Sequence, residues 1–63
     1  MDNKEMEKLA RELIEKRGIP KNAMFVIIAL KKIADEKGVP FSTGNAYPIV
    51  LSVMKEMEAQ RGR

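Results

Sequence analysis

The chain has no cysteine, no histidine and no tryptophan, and aromatic residues make up only 5% of it. Without thiols, neither disulfides nor thiolate metal sites are available to compensate for a small core. Without imidazole, Ser-His-Asp and Cys-His nucleophilic sites are excluded, along with the ligands that most zinc sites use. No apolar run approaches the roughly 20 residues needed to cross a bilayer, and the opening Met1-Asp2-Asn3-Lys4-Glu5 is polar and mixed in charge, unlike a signal peptide. These absences predict a soluble, intracellular (cytoplasmic) protein with no metal, no cofactor and no membrane partner. The carboxylates and lysines fall singly on solvated helical positions and supply no paired acid and base. No catalytic residue is therefore assigned, and the expectation is that the protein is not an enzyme.

What is present is charge, at 33% of residues, and a 44% hydrophobic fraction arranged in short periodic runs. Sixty-three residues predict a single domain spanning 1–63, and a domain of that size buries only about 60% of the surface its unfolded chain exposes. The formal charge of +3 is unevenly placed. Residues 1–17 balance five basic against five acidic side chains, so the whole surplus lies in 18–63. That is where a polyanionic partner would be met.

Met6, Leu9, Ala10, Leu13 and Ile14 recur at i, i+3, i+4, i+7 and i+8, which predicts one amphipathic helix. Glu7 with Arg11 and Glu12 with Lys16 are spaced to support its solvated face. The second segment, Ala23 to Leu30, is apolar without interruption and continues through Ile33 and Ala34. A helix apolar all round is expected at the centre of a bundle. Asn22 is its predicted N-cap. The third segment repeats the helical spacing at Ala46, Ile49, Val50, Val53, Met54 and Met57, with Val39 and Phe41 ahead of it as core plugs.

The two connections, EKRGIP (15–20) and DEKGVP (35–40), resemble each other: a basic residue, Gly, a β-branched residue, then Pro. Both read as helix stops, with Gly in the left-handed position and Pro preventing continuation. The fold predicted is all-α, a compact three-helix domain.

Between Gly38 and Met54 the chain reads GVPFSTGNAYPIVLSVM, with no charged residue. Ile33 and Ala34, then Gly38, Val39, Ser42 and Thr43, then Ile49 and Val50 follow the order of a helix-turn-helix, which residues 25–57 resemble. Helices 2 and 3 would form that unit. Gly44, Tyr47 and Pro48 are also similar in order to the recognition-helix start of PadR-type regulators, although no two-stranded wing or dimerisation helix follows here. The resemblance implies sequence-specific binding of double-stranded DNA, with helix 3 in the major groove. Thr43, Gly44, Asn45, Tyr47 and Pro48 would then face base edges. Ser42, Lys21, Lys31, Lys32, Lys37 and Lys55 would reach phosphates, and Arg61 and Arg63 would either join them or form a frayed end.

Other readings of the same residues stay open. Ser42 or Thr43 explains itself as an N-cap, and Pro48 fits a helix that starts regularly only near Ala46 or Tyr47. Tyr47, Pro48 and Leu51 could instead centre a patch for protein contact, making the chain a helical interaction module, a monomer or a weak homodimer. Regular charge patterning, paired helix stops and the missing residue types are compatible with a designed DNA-binding miniprotein on a helix-turn-helix scaffold. The irregular FSTGNAYP and the Met24-Phe25 pair are less idealised.

Overall fold

Three side chains set where the helices begin. Asp2 opens α1 (Asn3–Arg17), its carboxylate accepting the Glu5 amide at 2.8 Å. Asn22 opens α2 (Ala23–Lys37) as expected, accepting the Met24 amide at 2.9 Å. Ser42 opens α3 (Thr43–Arg61): its Oγ accepts the Asn45 amide at 3.3 Å and its carbonyl accepts the Ala46 amide at 3.0 Å. Each cap satisfies an amide that has no acceptor within its own helix. The structure, a computed structural model, describes residues 1–61; Gly62, Arg63 and the side chain of Arg61 lie outside the described residues, and with them the two C-terminal arginine candidates.

The two connections end their helices in different ways. Gly38 is left-handed (φ 69°, ψ 31°), its amide donates to the Asp35 carbonyl at 3.2 Å, and the Val39 amide reaches back to Ala34 at 3.0 Å. That pair of bonds satisfies the last carbonyls of α2. Gly18 also has positive φ (87°), but its ψ of 167° is extended and its amide makes only the ordinary helical bond to Ile14 at 2.8 Å. The left-handed stop expected at both sites therefore forms only at Gly38. Ile19 packs against the core and lines a hollow with Ile14 and Met57.

Each helix buries one stripe. α1 contributes Met6, Ala10 and Ile14; α2 contributes Ala23, Val26, Ile27, Leu30 and Ala34; α3 contributes Ala46, Val50 and Val53. Alanines lie buried on all three faces, and Leu9, Leu13, Phe41, Ile49, Met54 and Met57 pack against the edges of the core. No side-chain polar atom is buried without a partner among the described residues. Lys37 of α2 meets Glu5 of α1 at 2.8 Å, and the Met1 amino group donates to the Pro40 carbonyl, so α1 starts where α2 ends. α3 starts at that end too, and its Glu56 reaches Arg11 at 3.0 Å. The helices thus run up, down and up in a body of 39 × 19 × 18 Å.

The position of α2 differs from expectation. Its uninterrupted apolar run predicts a central helix, yet Phe25 and Ile28 are 66% and 60% exposed, Met24 is 40% exposed, and α3 is the helix packed most extensively against the other two. Three helices can only lean on one another, so none is surrounded.

Leu30, fully buried, anchors this core. Leu30→Ala is expected to cost about 2–5 kcal/mol, against a total stability on the order of 3–9 kcal/mol for a chain of this length. Urea denaturation should show the cooperative transition weakened or lost. Phe25→Ser, which removes a mostly solvated ring, should shift the same curve by less than about 1 kcal/mol. Gly38→Ala, forced into a left-handed backbone, should cost about 1–2 kcal/mol.

Candidate nucleic-acid interface

The first two turns of α3 hold every candidate base-contacting residue. The helix begins at Thr43, so Pro48 is its sixth residue and lies inside it. A regular start near Ala46 or Tyr47 is therefore not what Pro48 marks. Proline there has no N–H to return to the carbonyl four residues back, which is that of Gly44. Both residues are exposed, on the side of α3 turned away from Ala46, Val50 and Val53. At 100° per residue, Thr43 and Tyr47 lie on one flank of this Gly44-Pro48 line and Asn45 on the other. Ser42, Thr43 and Asn45 are exposed, and Tyr47 is 46% exposed.

The chemistry of this turn is uncharged and donor-rich. The amides of Thr43 and Gly44 have no acceptor within the helix, and the positive end of the helix dipole adds to them. Ser42 Oγ accepts from Asn45 as the cap, but its own proton remains available to an outside acceptor. Space does not require glycine at 44. A Cβ there would meet only Ser42 Oγ, at 3.9 Å, and the backbone is not left-handed. Fold stability alone would favour alanine at this position.

The lysines are distributed less tightly. Lys37, at the end of α2, is beside the start of α3 and is paired with Glu5. Lys31 pairs with Asp35 at 3.2 Å, with both side chains more than half exposed. Such exposed pairs contribute little and exchange readily for a phosphate. Lys32 and Lys55 are exposed and make no ion pair among the described residues. Lys55 falls on the Gly44-Pro48 side of α3, about 16 Å along from Gly44 by helical rise. Lys21 is not brought to the site: it precedes α2, whose length of about 21 Å separates it from the turn into α3.

Two features were not legible from spacing alone. Arg11 pairs as expected with Glu7, at 3.2 Å, and also bridges to Glu56 of α3. These bonds, to Glu56 first and Glu7 second, hold the guanidinium above its ordinary pKa. The other is the exposure of Met24, Phe25 and Ile28, residues whose run in the sequence reads as core. No group of three or more carboxylates among the described residues is placed to hold a metal ion, and no described helix is long and apolar enough to cross a membrane. No family model matches the chain, and neither a curated protein nor a solved structure matches it.

The free face of α3 should therefore be improvable as a helix. Gly44→Ala is expected to raise unfolding stability by about 0.5–1 kcal/mol. Pro48→Ala should raise it by about 1–3 kcal/mol by restoring a helical hydrogen bond. Loss of stability on either substitution in urea titrations would show that these residues serve the fold.

Proposed function

We propose that this chain binds double-stranded DNA through the first two turns of α3, the role that the resemblance of residues 25–57 to a helix-turn-helix implies. One observation carries the reading. Gly44 and Pro48, two residues that weaken a helix, lie on the exposed side of α3 among uncharged hydrogen-bonding side chains, where neither packing nor backbone geometry calls for them. A thin, uncharged helix start suits close approach to a groove.

In this reading the chain enters end-on. The N-terminal end of α3 meets the major groove, and base edges are met by the side chains of its first turns. Asn45 is the residue suited to an adenine edge, donating to N7 and accepting from N6. Thr43, Tyr47 and Pro48 supply apolar surface for a thymine methyl, and Ser42 with the free amides of Thr43 and Gly44 takes a phosphate. Lys37 stands nearest to add a further phosphate contact, with Lys31, Lys32 and Lys55 farther along the body.

A protein contact centred on Tyr47, Pro48 and Leu51 has less to work with. Leu51 is half-buried against the core, leaving Tyr47 as the one large exposed apolar group of the three.

Selection from a randomised duplex pool at two salt concentrations tests the proposal. A preferred sequence should emerge, with affinity falling steeply as salt rises. Asn45→Ala should relax preference at one base pair, a loss of about 1–3 kcal/mol of discrimination. Lys37→Ala should weaken all sequences alike and flatten the salt dependence by about one counterion. Absence of salt-sensitive binding to any duplex would overturn the reading.

A further inference from the structure

The two connections share a residue pattern and differ in what they leave open. After Gly38 the Val39 amide bonds back to Ala34 and seals the end of α2, whereas no such bond from Ile19 closes the end of α1 among the described residues. A hollow of about 190 Å³ remains there, between the last turns of α1 and the first two turns of α2. Leu13 and Ile14 line it from α1, Phe25 and Val26 from α2, and Ile19 and Pro20 from the connection. Ile14 and Val26 are buried, so the hollow reaches the core, while Phe25 stands 66% exposed. The length of α2, about 21 Å, separates this end from the turn proposed to meet DNA.

Arg17 is the single charged residue lining the hollow. Its side chain is exposed and forms no ion pair among the described residues. Glu12, Glu15 and Lys16 line a neighbouring hollow, and Lys21, one residue past Pro20, is exposed and also basic. No carboxylate among the lining residues neutralises the guanidinium. A cation in the last turn suits the α1 dipole whichever basic residue supplies it. Arginine adds a flat fork of donors beside an apolar recess, which fits a planar anion.

Size and charge together select the ligand. An apolar cavity of about 150 Å³ accommodates benzene, so this hollow takes one ring with a short substituent. It is smaller than the roughly 300–1,000 Å³ of sites for drug-sized molecules. A ring placed in it meets Phe25 in an offset or edge contact and covers apolar surface that the bundle leaves wet. One guanidinium matches one negative charge, and it pairs with a carboxylate through two parallel hydrogen bonds. A phosphate monoester, with roughly 1.5 to 2 negative charges, would leave charge uncompensated against apolar walls. We infer that the hollow between α1 and α2 binds a small aromatic monocarboxylate, its ring against Phe25 and its carboxylate on Arg17.

Titration of the DNA-free, isotope-labelled chain with phenylacetate at neutral pH, followed by amide chemical shifts, tests this independently of duplex binding. Saturable shifts should centre on residues 13–29, with a dissociation constant on the order of a millimolar, as befits so small a ligand. Neutral phenylacetamide and phenyl phosphate should both bind more weakly than phenylacetate. Arg17→Gln should weaken phenylacetate about five- to tenfold and leave phenylacetamide unchanged, whereas Phe25→Ala should weaken both. Arg17 and Phe25 are exposed, so circular dichroism should report the same helical fold in each variant. Shifts that do not saturate by about ten times that concentration, or that centre elsewhere, overturn the proposal. A phenylacetate affinity indifferent to Arg17→Gln or to Phe25→Ala also overturns it, and tighter binding of phenyl phosphate overturns the ligand class.

Discussion

Three helices leaning together can each hide one stripe of side chains, and most of this molecule follows from that constraint. Leu30 of α2 and Val50 and Val53 of α3 share a core with Met6 and Ile14 of α1, and the buried alanines Ala10, Ala23 and Ala46 belong to the same cluster. Apolar residues beyond the three stripes have nowhere to go. Phe25 and Ile28 stand in solvent for this reason, and the outer side of α3 is free to carry small residues that contribute nothing to packing.

The ends of the bundle are less alike than its three helices. At one end the start of α1, the stop of α2 and the start of α3 converge, tied by Lys37 to Glu5 and by Met1 to Pro40. Gly38 turns the chain back sharply there, so that α3 begins beside the last turn of α2. The proposed DNA-contacting turn thus rests on a cap and a left-handed glycine. At the other end the chain leaves α1 through Gly18, at positive φ but outside the left-handed helical region, with no comparable turn.

Stability and contact pull against each other on the surface. Gly44 and Pro48 give up helical stability in a protein with little to spare, and an exposed Phe25 gives up burial that a larger core would have supplied. The two sacrifices lie on different helices.

Helical periodicity, the cap at Asn22, a cap at Ser42 or Thr43 and the stop at Gly38 were legible in the sequence because each depends on residues a few positions apart. The three-helix, all-α architecture follows from them, as does the prediction that Gly44 and Pro48 face away from the core. Arg11 reaching Glu56, the exit at Gly18 and the separation of Lys21 from the start of α3 depend on how the helices are placed. So does the fate of the AMFVIIAL run, since an apolar residue's neighbours in the chain say that it can be buried, while only the packed bundle decides whether a partner helix is there to bury it.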